Sequence, residues 1–385
     1  MAAILGVMGS LAYTQRVGPG TIPFTFSFHG FESRHNWRTD KRPSGFAAPW
    51  NGNVRMVYLI RQLACLVAAL LPLASNAQGR PEPGDAAAPA AHRLVVPVEP
   101  GGGIDAVARL LANAWSTEMS LPTIVVNRPG ASGNIGTASV AKSKPDGQTL
   151  LVTGVGHITS AMLHENPGYH PFEDFTPIAR FATAPNVMLV SDALKGMPLA
   201  QILSDPRSRN QGFSYSSAGY GHSSHMAAHI FATQTGVKWL HVPFKGTSPG
   251  LRALLAGETH IMFVTLGSVQ AALATHRVHA VAVTHHERLQ VLPDVPTLSE
   301  LGIKNAEFAQ WYGMFAPRGT PPSVVKSLSE AAVGALKGSA MTPQFKTQGL
   351  EPAPLRHDEF ERFLKAESRR LEKMLDNRTI DRPVN

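Results

Sequence analysis

The sequence predicts an α/β fold of two doubly wound lobes, on three observations. Short apolar strands alternate with helical stretches from residue 92 onward, the signature of βα units and a mainly parallel sheet. Three turns between a strand and a helix are rich in Gly, Ser and Asn. They are Glu99-Pro100-Gly101-Gly102-Gly103-Ile104, Asn127-Arg128-Pro129-Gly130-Ala131-Ser132-Gly133-Asn134 and Ser216-Ser217-Ala218-Gly219-Tyr220-Gly221-His222-Ser223-Ser224. The length of 385 residues exceeds one ordinary core and fits two domains.

Taken in order, residues 94–98 form a strand, 104–119 an amphipathic helix and 123–127 a second strand. A helix over 135–142 and a strand over 149–153 follow. The apolar run 186–190 is a strand that leaves the first lobe. A second series then begins, with strands over 213–216, 239–242, 260–264 and 279–284 and helical segments between them. Residues 310–317 form a strand closed by Arg318-Gly319-Thr320-Pro321-Pro322, and helices over 323–336 and 357–375 finish the chain. Asp358 and Glu359 stand at the start of the last helix, where the dipole favours acids. The first lobe is expected to comprise 92–190 and 312–385, the second 191–311.

The N-terminal part reads differently. Arg55 and Arg61 flank the start of an apolar run, residues 63–73, and Ser75-Asn76-Ala77 supplies small residues for cleavage. Residues 56–77 are therefore expected to be a secretory signal peptide cut after Ala77, and 78–91, rich in Pro, Ala and Gly, a flexible linker. Residues 1–55 lack periodicity and read as an extension from a start codon assigned too far upstream; a genuine disordered extension is the alternative. Residues 1–77 hold seven of the 35 basic and two of the 27 acidic side chains, so the remainder carries +3 rather than +8. That modest charge gives no reason to expect a nucleic-acid partner. The one cysteine, Cys65, lies in the signal core, so no disulfide or cysteine metal site is expected.

A glycine turn that opens a helix aims backbone N–H groups at the positive end of the dipole, which suits an anion. The expected site is Gly101, Gly102, Gly103, Ile104 and Asp105 from the first turn, with Ser132, Gly133 and Asn134 from the second. Ala218, Gly219, His222, Ser223 and Ser224 would close from the other lobe, and His157 and Lys245 would line the cleft. Asp105 also suits a helix cap, and Lys245 a solvated loop. Trp311 and Tyr312 are read as packing where the chain crosses between lobes. A charge-assisted hydrogen bond contributes ~1.5 to 3 kcal/mol and micromolar binding needs about 8 kcal/mol, so four or five such donors suffice without a buried arginine.

The chain also resembles the periplasmic solute receptors of tripartite tricarboxylate transporters, the Bug family. The motifs are Val95-Val96-Pro97 with Pro100-Gly101-Gly102-Gly103-Ile104-Asp105, Asn127-Arg128-Pro129-Gly130-Ala131-Ser132-Gly133-Asn134-Ile135-Gly136 and Pro145-Asp146-Gly147-Gln148-Thr149-Leu150-Leu151. Tyr215-Ser216-Ser217-Ala218-Gly219 with Ser223-Ser224-His225, Val242-Pro243-Phe244-Lys245-Gly246, Leu292-Pro293-Asp294-Val295-Pro296-Thr297 and Trp311-Tyr312-Gly313-Met314-Phe315-Ala316-Pro317 follow in the same order. The resemblance spans nearly all of 92–377. It implies a type II periplasmic binding protein, a venus flytrap of two Rossmann-like lobes, located in the periplasm. It further implies a small carboxylate solute and membrane permease subunits as partners. Val98-Glu99, His260, Val264-Thr265 and Tyr220 with His222 depart from the family's usual residues, and these departures touch the expected cleft.

An enzyme is the rival class. The first turn does not satisfy Gly-x-Gly-x-x-Gly, because residue 106 is Ala, and Asn127 stands where a dinucleotide fold ends its second strand with an acid. No P-loop or His-Glu-x-x-His motif occurs. His222, His225 and His229 could share one helical face, but no nearby Asp or Glu completes a zinc set. A monomeric, cofactor-free and metal-free binding protein is expected, with a periplasmic sensor partner as the alternative use.

Overall fold

The computed structural model describes residues 91–119, 122–337, 341–375, 380 and 382–383, which fall within one compact unit, Pro83–Asn385. The expected extension, signal peptide and residues 78–90 of the linker lie outside the described residues.

The chain opens with β1 (His92–Val96), α1 (Gly103–Met119), β2 (Thr123–Asn127), α2 (Asn134–Ala141), β3 (Thr149–Gly154) and α3 (Gly156–Leu163). A long strand, β4 (Phe175–Ser191), leads through α4 (Leu199–Ser204) to β5 (Ser214–Ser217), α5 (Ser223–Thr235), β6 (Leu240–Pro243) and α6 (Thr247–Ala256). Then come β7 (Ile261–Thr265), α7 (Gln270–Leu273), β8 (Val278–Val283) and β9 (Ala309–Pro317). The chain ends with α8 (Pro322–Lys337), α9 (Met341–Thr347), β10 (Glu351–Arg356) and α10 (His357–Leu375).

The strands run in the order β2-β1-β3-β9-β4-β7-β5-β6, with β10 and β8 both paired to β4. Each end of this array is a doubly wound unit. In the first, β1 lies between β2 and β3; in the second, β5 lies between β6 and β7, all parallel. The expectation of a mainly parallel sheet needs correction, because β4 and β9 run antiparallel to every strand they meet. They are the strands that carry the chain between the lobes, and a crossing in each direction makes one of them oppose the local sheet.

Both faces of the parallel strands are covered, so their sequences read as near-continuous apolar runs. Leu94 and Val96 pack with Val107, Leu111 and Trp115 of α1 on one face, while Val95 joins Val155, Ile158 and Phe315 on the other. These α1 positions recur at helical spacing, and the helix buries that stripe against β1, β3 and α8.

The apolar signal in the sequence marks only residues 186–190 of β4. Residues 175–185 contain Pro177 and Pro185, which argue against a central strand. Shifts of register near Pro177 and at Arg180 accommodate the irregular stretch against β9. β10 was missed for the same reason, since Pro352 and Pro354 suit only an edge strand. Partner exchange on β4 falls between Pro185, opposite Ala309 of β9, and Asn186, opposite Thr265 of β7. There the Asn186 N–H donates to Thr284 Oγ1 (2.8 Å), and the same hydroxyl donates to the Phe308 carbonyl (2.7 Å). One threonine thus ties together both crossing points of the chain.

Candidate functional site

In doubly wound sheets ligands bind beyond the carboxyl ends of the strands, at the point where the strand order reverses. Here the two such points, β1/β3 and β5/β7, face each other. The helices that start there are α1 after β1 and α5 after β5, joined by α6 after β6. Gly102, Gly103 and Ile104, Ala218, His222, Ser223 and Ser224 line a cavity between them. Val98, Thr247, Val264, Thr265, Gln310 and Tyr312 complete its wall. Among the described residues no charged side chain lines it. Its volume is about 20 Å³, room for a single water, so the two lobes are closed on each other.

The first turn is fixed from beneath by Asp105. Its carboxylate accepts from the Gly101 N–H (2.9 Å), from Arg109 Nε and Nη2 (3.0 Å each) and from Asn127 Nδ2 (2.9 Å). Burial alone would raise the Asp105 pKa, yet these hydrogen bonds hold it below the ordinary value. Gly101 sits at φ +84°, a left-handed conformation that glycine adopts without strain. Asp105 therefore supports the turn and does not line the cavity, which corrects its place in the expected site. Gly103 is required for another reason. A Cβ there would lie 2.8 Å from both Thr265 Oγ1 and the Tyr312 hydroxyl.

The turn after β5 is held by its own side chains. The Ala218 N–H donates to Ser224 Oγ (2.9 Å), Gly219 N–H to Ser217 Oγ (3.1 Å) and Gly221 N–H to His225 Nδ1 (3.1 Å). The expectation that Ala218 and Gly219 offer main-chain donors is overturned, because local hydroxyls already accept those hydrogens. The first N–H groups of α5, at Ser223 and Ser224, are the ones a helix start leaves without an intrahelical partner.

Ser132, Gly133 and Asn134 do not reach the cavity; the turn that carries them clasps the opposite lobe. Ser132 Oγ accepts from the Tyr220 N–H (3.1 Å), and the Ser132 carbonyl receives His222 Nε2 (3.1 Å). Burial lowers the His222 pKa to about 4, so the ring is neutral at pH 7 and bridges as a donor. A second clasp joins Glu99 N–H to the Lys245 carbonyl (3.3 Å) and Ser248 Oγ to the Pro100 carbonyl (2.9 Å).

Two more expected residues fall elsewhere. His157 is in the core of the first lobe, stacked on Phe315 at 4.2 Å with Nε2 on the Pro171 carbonyl (2.9 Å), and burial lowers its pKa to about 4. Its Gly-Val-Gly approach suggested a strand end at the cleft, but α3 begins there and turns the ring inward. The Lys245 side chain is exposed and only its main chain takes part.

Tyr312, expected to pack at the crossing point, lines the cavity, whereas Trp311 lies in the core. The Tyr312 hydroxyl is buried beside Thr265 without a hydrogen bond of normal geometry, and burial pushes its pKa up to about 12, so it stays protonated. Gln310 and Tyr312 alternate with Trp311 and so share one face of β9. That period was available in the sequence. Thr247 was signalled too, because Phe244-Lys245-Gly246 is a fourth strand–glycine–helix turn.

Comparisons with known proteins agree with this architecture. The family model "Tripartite tricarboxylate transporter family receptor" matches residues 107–380. A UPF0065 protein of Pseudomonas sp. (strain P51) is 33% identical over 282 residues, covering 73% of this chain and 84% of that one. BugT of Bordetella pertussis is 29% identical over 280 residues, 72% of this chain and 86% of its own. Among solved structures, the periplasmic binding protein BugD superposes with a TM-score of 0.72 at 29% identity, over 76% of this chain and 99% of that one. An R. palustris protein solved with adipate gives 0.73 at 33% identity, covering 77% and 99%. MatC from Rhodopseudomonas palustris, with bound malate, gives 0.69 at 30% identity, covering 74% and 98%. This chain belongs to the tripartite tricarboxylate transporter receptor family, a family of periplasmic solute-binding proteins.

Proposed function

We propose that the chain is an extracytoplasmic receptor that closes on a small carboxylate and delivers it to the permease of a tripartite tricarboxylate-type transporter. The observation that carries this reading is the convergence of three helix starts, α1, α5 and α6, on a cavity that no charged side chain among the described residues lines. Such a cavity recognises a carboxylate through helix dipoles and unspent N–H groups, aided by the hydroxyls of Thr247, Thr265 and Tyr312. The ligands of the relatives solved with adipate and malate have that chemistry. The lobes are taken as 92–190 with 312–385 and 191–311, except that residues 186–190 hydrogen-bond within the second sheet.

The cavity in this state holds one water, so a solute enters only when the lobes part at Asn186 and Phe308, and the lobes then close around it less far than here. Binding is driven by closure, and no group in the cavity is arranged as a nucleophile with its base. Calorimetry of the purified protein against C4 to C6 dicarboxylates, malate and adipate among them, tests this. Saturable binding at micromolar concentration is expected, with a smaller radius of gyration in solution scattering. No binding across the series, or turnover of a bound acid, would end the proposal. Export with loss of residues 1–77 is checked by mass spectrometry of the mature protein.

A further inference from the structure

Gln310 stands on the wall of the interlobe cavity with half of its amide unspent. It is 3% exposed and lies on β9 opposite Ala184 of β4. The Val155 N–H donates to its Oε1 (3.1 Å). A backbone N–H can only donate, so the oxygen faces Val155 and Nε2 is left as a donor. Among the described residues Nε2 meets no acceptor, and unlike the Tyr312 hydroxyl it keeps accessible surface.

That orientation is set within the first sheet. Val155 follows β3, which pairs with β9, Gly154 lying opposite Tyr312. A Cβ at Gly154 would collide with Gln310 Nε2 and the Trp311 carbonyl, so the glycine makes the room that the amide occupies. These supports come from β3, β9 and the residue after β3, so the amide keeps its direction when the lobes part. β3 stands between β1 and β9, with neighbouring strands ~4.8 Å apart. A solute seated on Gly102, Gly103 and Ile104, after β1, therefore meets Gln310 with its other end.

The closed cavity has room for one water, which can serve Nε2 while no solute is bound. A solute that displaces it must offer an acceptor in its place or leave the amide hydrogens unpaired, and a site built to hydrogen-bond rejects the analogue that cannot. We propose that Gln310 determines specificity by donating from Nε2 to a second carboxylate of the solute, so that the site selects dicarboxylates over monocarboxylates of the same length. This inference rests on the interlobe reading proposed above. A neutral donor suits a wall on which no charged side chain among the described residues stands, because no unpaired charge is left buried when the solute leaves.

Succinate and butyrate are the probes, four-carbon acids that differ in the second carboxylate. By calorimetry the full chain should bind succinate about tenfold or more tightly than butyrate. Gln310→Glu keeps an oxygen for the Val155 N–H and replaces the free donor with a second oxygen. At about pH 9, where that glutamate is ionised, the succinate advantage should vanish and 4-aminobutyrate should bind more tightly than succinate. A purely structural role would lower all three affinities together. In the unsubstituted protein the side-chain amide resonances of Gln310 should shift as succinate is added, a readout that needs no variant to fold. Equal affinity for succinate and butyrate, a succinate preference kept by folded Gln310→Glu, or unmoved amide resonances at saturation would each overturn the inference and leave the carboxylate seat standing. Failure of every acid, malate and adipate included, to bind the unsubstituted protein would overturn the interlobe reading and this inference with it.

Discussion

The turn after β1 and the turn after β5 look alike in sequence, each a Gly/Ser-rich bridge from strand to helix, but they spend their amides differently. After β1 the support comes from outside the turn. Asp105, Arg109 and Asn127 hold it from beneath, taking the Gly101 N–H and leaving the next helix-start amides for a ligand. After β5 the turn supports itself, and Ser217, Ser224 and His225 consume the N–H groups of Ala218, Gly219 and Gly221. A glycine-rich turn is therefore an anion seat only to the extent that its neighbours leave donors unspent. In the proposed site the first lobe would supply the larger share of main-chain donors, and the second the α5 start and side-chain hydroxyls.

The largest test of that contrast is Gly103→Ala. The added methyl meets Thr265 and Tyr312 at 2.8 Å, an overpacking that costs about 1 to 3 kcal/mol. Dicarboxylate affinity should drop on the order of 100-fold by calorimetry, with the circular-dichroism spectrum retained. Equal affinity would show that the first turn is not the principal seat.

Asp105→Asn comes next, because it weakens the support without touching the cavity wall. The charge-assisted bonds from Arg109 and the Gly101 amide are worth about 1.5 to 3 kcal/mol each when intact, so urea unfolding at pH 7 should show a loss of about 2 kcal/mol. The Asp105 pKa is lower in the folded protein than the ordinary 3.8. Its stabilisation is therefore full above about pH 4 and fades as pH falls through the folded value. The substituted protein should lack that acid-dependent component. A parallel pH profile for both proteins would contradict the assigned role.

Tyr312→Phe should reverse the usual coupling of stability and function. The hydroxyl has no hydrogen bond of normal geometry, so its removal should leave thermal stability unchanged or slightly higher while weakening affinity about tenfold. A melting point lowered by several degrees would show that the hydroxyl serves the fold instead. Lys245→Ala should do least, changing affinity by less than about twofold, since an exposed lysine makes only weak interactions. A strong loss of affinity, sensitive to salt, would bring that side chain back into recognition.

Legibility followed the kind of signal each residue carried. α1, β2 and α10 were readable because their apolar residues keep one period and their ends carry cap or dipole signals. Prolines hid the first half of β4 and all of β10, since their compatibility with a strand depends on bulges and edges. Of the expected site residues, Gly102, Gly103 and Ile104, chosen for their backbone, lie on the cavity wall. His157 and Lys245 were chosen for chemical character and proximity in sequence, and burial in one and exposure in the other removed them. Thr265 was flagged only as a departure from the family near the cleft, and Tyr312 was expected to pack, because their places on the wall depend on strands that meet only after the chain has crossed twice.

The sequence by itself determined the alternation of strand and helix, the family, and the turns where anion-seeking amides could occur, because periodicity, caps and glycine are local properties. Only the tertiary structure decided which amides remain unspent and which hydroxyls complete the cavity. A donor's availability depends on what lies within about 3 Å of it, and at this site those neighbours come from distant parts of the chain.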